Sequence, residues 1–277
     1  MEKSLNNLPI DYVDLTPENW NLLDRFVPPK EVCHYTRSDT ALEYILHNQE
    51  IFLDNLNETN DPKETKERTF QFINVPRNKF DVVGHIHAYG SLKDVKVLCT
   101  SCHNHPSWEI MGRENDSEDY RYGVSRSPMW AHYADRYKGV CIIFDGKTLH
   151  ENICNKIDKM GGNPQTDIRS GFVMYDYDAS IAPSRGNNDD VYSLMQDYEV
   201  NFLRKSPDWK SEHEFRWLVV GNHNSKLLVS IENAIKAVIV GADFHGAYLP
   251  LLESKSKELN FKLGRIDWID GRPLVSL

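Results

Sequence analysis

Residues 212–220 read EHEFRWLVV. In an extended chain, side chains alternate between faces, so Glu212, Glu214 and Arg216 share one face while Phe215, Trp217 and Val219 share the other. The segment is expected to be an interior strand with an apolar face on a core. Three ionisable neighbours cannot all be dehydrated cheaply. Their face is therefore either a solvated surface with a cross-strand ion pair or the lining of a cleft. Two like carboxylates about 7 Å apart on one face also resist ionising together, and Arg216 offsets part of that repulsion.

A strand of this kind needs neighbours. The stretches 31–35 (EVCHY), 95–102 (VKVLCTSC), 140–145 (VCIIFD), 171–178 (GFVMYDYD), 237–244 (AVIVGADF) and 261–269 (FKLGRIDWI) have the β-branched or apolar character expected of strands. Helices are expected at 40–49, capped by Ser38 or Asp39, and at 129–137, where Pro128 starts the helix and Gly139 ends it. Two more are expected at 190–205 and 248–259. The stretch 55–64 (NLNETNDPKE) is turn chemistry. Strands and helices mix without strict alternation, so the fold class is α+β, a mixed or antiparallel sheet core with flanking helices. Residues 1–30 read as an arm with a short helix opened by Thr16 and Pro17. Residues 31–277 read as a single α+β domain.

Composition narrows the function. The chain has 277 residues, 32 Lys+Arg against 41 Asp+Glu, and a net charge of −9. That balance argues against a broad nucleic-acid-binding surface, though not against a local basic pocket. No apolar run approaches the roughly 20 residues of a membrane-spanning helix. The first residues lack a basic segment followed by an apolar one, so no secretory signal is read. Five cysteines, an odd count without an export signal, suit reduced thiols in a cytoplasmic protein. No membrane association is expected.

Among candidate residues, His34 and Thr36 point one way from the first core strand and Tyr35 the other. Such a histidine is either a satisfied structural residue or part of a site. In the helix that follows Pro128, Met129 and Tyr133 share one face, and Trp130, Ala134 and Tyr137 share another. The aromatic stripe is either core or a stacking platform for a flat ligand. Cys99-Thr-Ser-Cys102-His103 fits the haem-attachment pattern, and with His105 half a zinc site. There is no export signal and no second CxxC, so buried strand thiols are the better reading and no metal is expected. Walker, GxGxxG, HExxH, GxSxG and EF-hand patterns are absent.

Taken in order, these pieces resemble an uncharacterised bacterial family built on a domain of unknown function. They are His34-Tyr35-Thr36, Asn60-Asp61-Pro62 with Glu64, a strand ending in CTS, Met129-Trp130-Ala131-His132-Tyr133, Gly139-Val140-Cys141, and Trp209 with Glu212-x-Glu214-x-Arg216. The resemblance spans roughly residues 31 to 245, and that family has no settled activity. More distantly, the pattern is similar to ADP-ribosyltransferases of the His-Tyr-Glu type, although HYT stands where those proteins usually carry His-Gly.

That similarity implies that NAD is the substrate. His34 would contact the nicotinamide ribose, Tyr133 would stack on nicotinamide, and Glu214 would hold a ribose hydroxyl, with Glu212 as an additional carboxylate. Tyr35, Thr36, Trp130 and Arg216 are the remaining expected NAD contacts. The pattern leaves open which glutamate is catalytic. The implied activity is ADP-ribosyl transfer to an unknown macromolecular acceptor, or NAD glycohydrolysis, in a toxin or anti-phage defence effector with a neutralising or regulatory protein partner. The alternative is a non-catalytic ligand- or protein-binding regulatory module on the same fold. A third reading is a metal-dependent nuclease or phosphoesterase. It is opposed by the lack of closely spaced aspartates near the glutamate pair.

Overall fold

The computed structural model describes residues 27–60, 95–102, 123–175, 202–221 and 227–277. Its strands, in chain order, are β1 (Glu31–Thr36), β2 (Glu50–Asn55), β3 (Val95–Cys102), β4 (Val140–Asp145), β5 (Ile168–Phe172), β6 (Met174–Tyr175), β7 (Arg204–Lys205), β8 (Glu214–Val220), β9 (Leu227–Ser230), β10 (Ile235–Val240), β11 (Lys262–Ile269) and β12 (Arg272–Ser276). The helix α1 opens π-wound at Thr40–Ile45 and closes as Leu46–Asn48. The others are α2 (Ser127–Tyr133), α3 (Gly146–Lys159), α4 (Pro164–Asp167) and α5 (Leu249–Leu259). Ten strands form one open sheet, antiparallel throughout except where β10 meets β11, and β6 and β7 make a small parallel pair. The α+β class read from the sequence is the one observed. The proposed arm lies outside the described residues apart from 27–30.

Strand β3 organises the sheet. One of its edges pairs with β8 from Val95 opposite Val220 to Ser101 opposite Glu214. Two strands share the other edge. β1 pairs at Ser101 and Cys102, through Cys33 and Val32. β2 pairs at Val97 and Lys96, through Asp54 and Asn55. Between these two short ladders, β1 stays with β4 along its whole length, while the first half of β2 turns to β9. The sheet therefore forks over Leu98–Thr100, and α1 joins the tips of the two arms. Asp39 caps α1 by accepting from the Thr40 N–H at 2.7 Å, and Gln49 ends it at φ 54°, in the left-handed region.

The core lies largely on one side of this sheet. Phe215, Trp217 and Val219 of β8 face it, as alternation predicts, and Phe215 stacks edge-on against Phe172 and Trp217 at 5.1 and 4.8 Å. Helix α3 covers the same side. Asp145 accepts from the Thr148 N–H at 2.9 Å, and Leu149, Ile153 and Ile157, four apart, are fully buried.

Several local expectations shift. Of the strand expected at 171–178, residues 171–175 hold the end of β5 and the short β6, and 176–178 lie outside the described residues. Lys205, expected at the end of a helix, is in β7 instead. Helix α2 stops at Tyr133, because Asp135, Arg136 and Tyr137 have φ of 44°, 53° and 69°. Three successive left-handed residues cannot continue a right-handed helix. Gly139 is thus not the helix cap. A Cβ there would lie 2.2 Å from the Thr36 carbonyl oxygen, so glycine is required by the close approach of α2's exit turn to β1.

Candidate functional site

The fork encloses a cavity of about 580 Å³. Its walls come from both arms, α1, the bared stretch of β3 and the cavity-facing side of α2. His34, Tyr133, Glu212 and Glu214 all line it, together with Lys205. Met129 and Tyr133, one helical turn apart, both face it, while Tyr44 and Leu228 stand exposed at the rim.

His34 leaves β1 at the crotch of the fork, and its Nδ1 donates to the Cys99 carbonyl at 3.3 Å, a backbone acceptor that no ladder partner covers there. Burial lowers the His34 pKa, and the carbonyl bond opposes this only in part. The ring is therefore neutral at neutral pH with its proton on Nδ1, which leaves Nε2 as an acceptor.

The base of the cavity is an ionic cluster. Arg216 Nε and Nη2 donate to the two Glu214 oxygens at 2.7 and 3.0 Å, and Arg216 Nη1 donates to the Phe202 carbonyl at 2.9 Å. Lys205 Nζ bridges both glutamates, 2.7 Å from Glu212 Oε2 and 2.9 Å from Glu214 Oε2. It also lies 5.4 Å from the centre of the Trp209 ring, within cation–π range. The Tyr133 hydroxyl donates to Glu212 Oε1. The Tyr175 hydroxyl accepts from the Glu214 N–H at 2.8 Å. All four charged side chains are buried, Arg216 completely.

The neighbours drive the two carboxyls apart. Burial alone would raise Glu214, but the charges of Arg216 and Lys205 overturn this and hold it at about 2. Burial and the Glu214 charge raise Glu212, and Lys205 and Tyr133 offset that only in part. Burial and Glu212 raise the Tyr133 phenol, which stays protonated and able to donate.

A stability prediction follows from the signs. A carboxyl held below its unfolded value contributes stability that is present above the unfolded pKa and lost as pH falls toward the folded one. From 4.5 to about 2, at 1.36 kcal/mol per unit, Glu214 accounts for about 3 kcal/mol of acid destabilisation. The unfolding free energy from urea curves followed down through this window should fall by that much. A double variant with apolar residues at 214 and 216 should lack this part of the slope. An unchanged slope would remove the pair from the account of acid unfolding.

Not every expected contact reaches the cavity. Trp130 is fully buried, donates through Nε1 to the Val124 carbonyl at 2.7 Å, and stacks edge-on with Tyr35 at 5.3 Å. Tyr35 does line the cavity, and its hydroxyl donates to the Gly123 carbonyl. Both rings belong to a second apolar cluster with Met129, Ala134 and Ile239, so Trp130 is core rather than a ligand platform. Thr36 is buried at the end of β1 and is absent from the cavity wall. Arg216 sits behind Glu214 and holds it, rather than facing a ligand.

Glu212 also departs from the expected strand face. It ends a 3-10 turn (Pro207–Glu212), and His213 at φ 45° swings the chain before β8 begins at Glu214. The two glutamates meet through Lys205, not through alternation along one strand.

Lys205 and Tyr175 escaped the sequence reading. Within RKSPDW a lysine reads as solvent-facing. The available signal was the need of a buried carboxylate pair for a compensating cation. The five cysteines are free thiols. Cys102 is buried and donates to the His213 carbonyl at 3.0 Å, while His103 and His105 lie outside the described residues. Among the described residues no group of His, Cys, Asp and Glu has the arrangement of a metal site, and no helix is long and apolar enough to cross a membrane.

Residues 129–217 match a family model described as a protein of unknown function (DUF2971). The match runs from Met129 in α2 to Trp217 in β8, so it takes in Tyr133, Lys205, both glutamates and Arg216 but not His34. No curated protein and no solved structure matches the chain.

Proposed function

We propose that the protein breaks the bond between nicotinamide and ribose in NAD, as an ADP-ribosyltransferase-like enzyme or an NAD glycohydrolase, with the fork cavity as its substrate site. The observation that carries this reading is the convergence of His34, Tyr133, Glu212 and Glu214, from three separate segments of the chain, on one cavity. Its volume lies within the range of small-molecule and cofactor sites.

The chemistry asks for little more than these groups supply. When the C1′–N bond breaks, its electron pair stays on the pyridine nitrogen, so a cationic ring leaves as neutral nicotinamide without acid assistance. Positive charge develops on the ribose, and a preorganised carboxylate aimed at it lowers the barrier. The Tyr133 ring offers a wall for nicotinamide, and the free Nε2 of His34 can accept from a ribose hydroxyl and fix its orientation. Water or an acceptor nucleophile then bonds to C1′ and gives up its proton to a basic group of the site. Transfer to a macromolecular acceptor would suit a toxin or anti-phage defence effector with a neutralising protein partner.

A second reading is a non-catalytic binding module. It is favoured by a specific observation: all four carboxylate oxygens of Glu212 and Glu214 already hold protein donors.

Incubation with NAD separates the two readings. Release of nicotinamide, followed by chromatography, is the expected result. Tyr133→Ala should weaken NAD binding roughly tenfold, the scale of one lost aromatic stack. Binding of NAD without release supports the module, and absence of both removes NAD from the account.

A further inference from the structure

The two carboxylates at the base of the cavity differ in what they are free to do, and the difference deepens the reading above, on which the identity of the ligand rests. Glu214 is fixed on every side. Three N–H donors from Arg216 and Lys205 occupy its oxygens, its own N–H is held by Tyr175, and Arg216 is anchored in turn to the Phe202 carbonyl. Turning Glu214 toward a ligand would break both of its bonds to the completely buried Arg216. Glu212 is held differently. One oxygen meets Lys205, and the other meets the hydroxyl of Tyr133, a half-buried side chain on the cavity wall. That phenol bond can be exchanged for a bond to an incoming hydroxyl while Lys205 keeps its grip on the other oxygen.

We propose that Glu212 is the carboxylate presented to the ligand, and that Glu214 is a positioning residue that keeps Lys205 turned onto it. Tyr133, Glu212 and Lys205 then form the working row, and Glu214 with Arg216 forms the frame behind it. The opposite shifts of the two carboxyls agree with this division, since a group that must meet a changing charge differs from one held permanently ionised.

Two measurements test the assignment. The first needs no substrate: carbodiimide with glycine ethyl ester at mildly acidic pH, with the labelled carboxyls located by peptide mass spectrometry. Glu212 should be modified at least roughly tenfold faster than Glu214, the ratio that one unit of pKa separation implies. The second uses NAD. Glu212→Gln should lower kcat roughly 10²–10³-fold with a smaller change in KM. Glu214→Gln should keep measurable turnover but move the acidic limb of the pH–rate profile to lower pH, because a charge that raises Glu212 is gone. A merely structural role for Glu214 would leave that limb in place. Where Glu214→Gln does not fold, the double variant E214L/R216M is read instead.

Labelling of Glu214 as fast as Glu212 overturns the assignment. So does a folded Glu214 variant that loses turnover while Glu212→Gln retains it. If the wild-type protein leaves NAD intact, the substrate reading falls, and labelling alone decides between the glutamates.

Discussion

Arg216→Met should destabilise the protein by about 3–5 kcal/mol, measured as a shift in the urea unfolding curve, because it strands a buried carboxylate. Of its two cations Glu214 would keep Lys205, which is already shared with Glu212. The companion double variant E214L/R216M removes both charges together. Replacing a buried ion pair with apolar groups of similar size is commonly neutral or stabilising, so the double variant should recover most of the loss. If both variants unfold alike, the damage comes from packing around position 216 and the ionic account is wrong. β8 is held by backbone ladders on both sides, to β3 along its whole length and to β5 from Phe215 to Val219. The pair therefore need not contribute net stability, and its value lies in holding Lys205.

The second large effect concerns Trp130. With no exposed surface, a hydrogen bond to Val124 and an edge-on contact with Tyr35, it should lose about 3–5 kcal/mol on replacement by alanine. Trp130→Phe should recover much of this. Neither change should alter ligand affinity in protein that remains folded, whereas Tyr133→Ala should. A folded Trp130→Phe protein with ligand affinity reduced as far as Tyr133→Ala would show that the ring acts on the cavity after all.

These two residues show how much was legible in the amino-acid order and where legibility stopped. The alternation Phe215, Trp217, Val219 identified the core face of β8 because a half-buried strand leaves that signature in its own residues. The helical grouping of Met129 with Tyr133, against Trp130 with Ala134, was legible for the same reason. Which of the two faces met the cavity was not, since that depends on where β1 lies.

Glu212 misled because a single left-handed residue, His213, breaks the strand pattern without altering its spelling. Lys205 was hidden because its partners are fixed by tertiary contact. β2 and β9 went unread because each is short and bounded by turn-like residues. Their pairing opens the fork, so the cavity itself had no local signature. Helix α3 was readable but passed over: Asp145, Leu149, Ile153 and Ile157 spell a cap and an apolar stripe.

The pairing of β3 with β8 also bears on the order of synthesis. Residues 95–101 leave the ribosome more than a hundred positions ahead of the partner strand 214–220 that completes the sheet beneath the cavity. Loop closure over that distance is slow, and it cannot begin until the later strand has been made. A growing chain therefore has His34 and Tyr133 long before it has Lys205, Glu212 or Glu214. A half-translated copy thus lacks the whole ionic cluster at the base of the cavity.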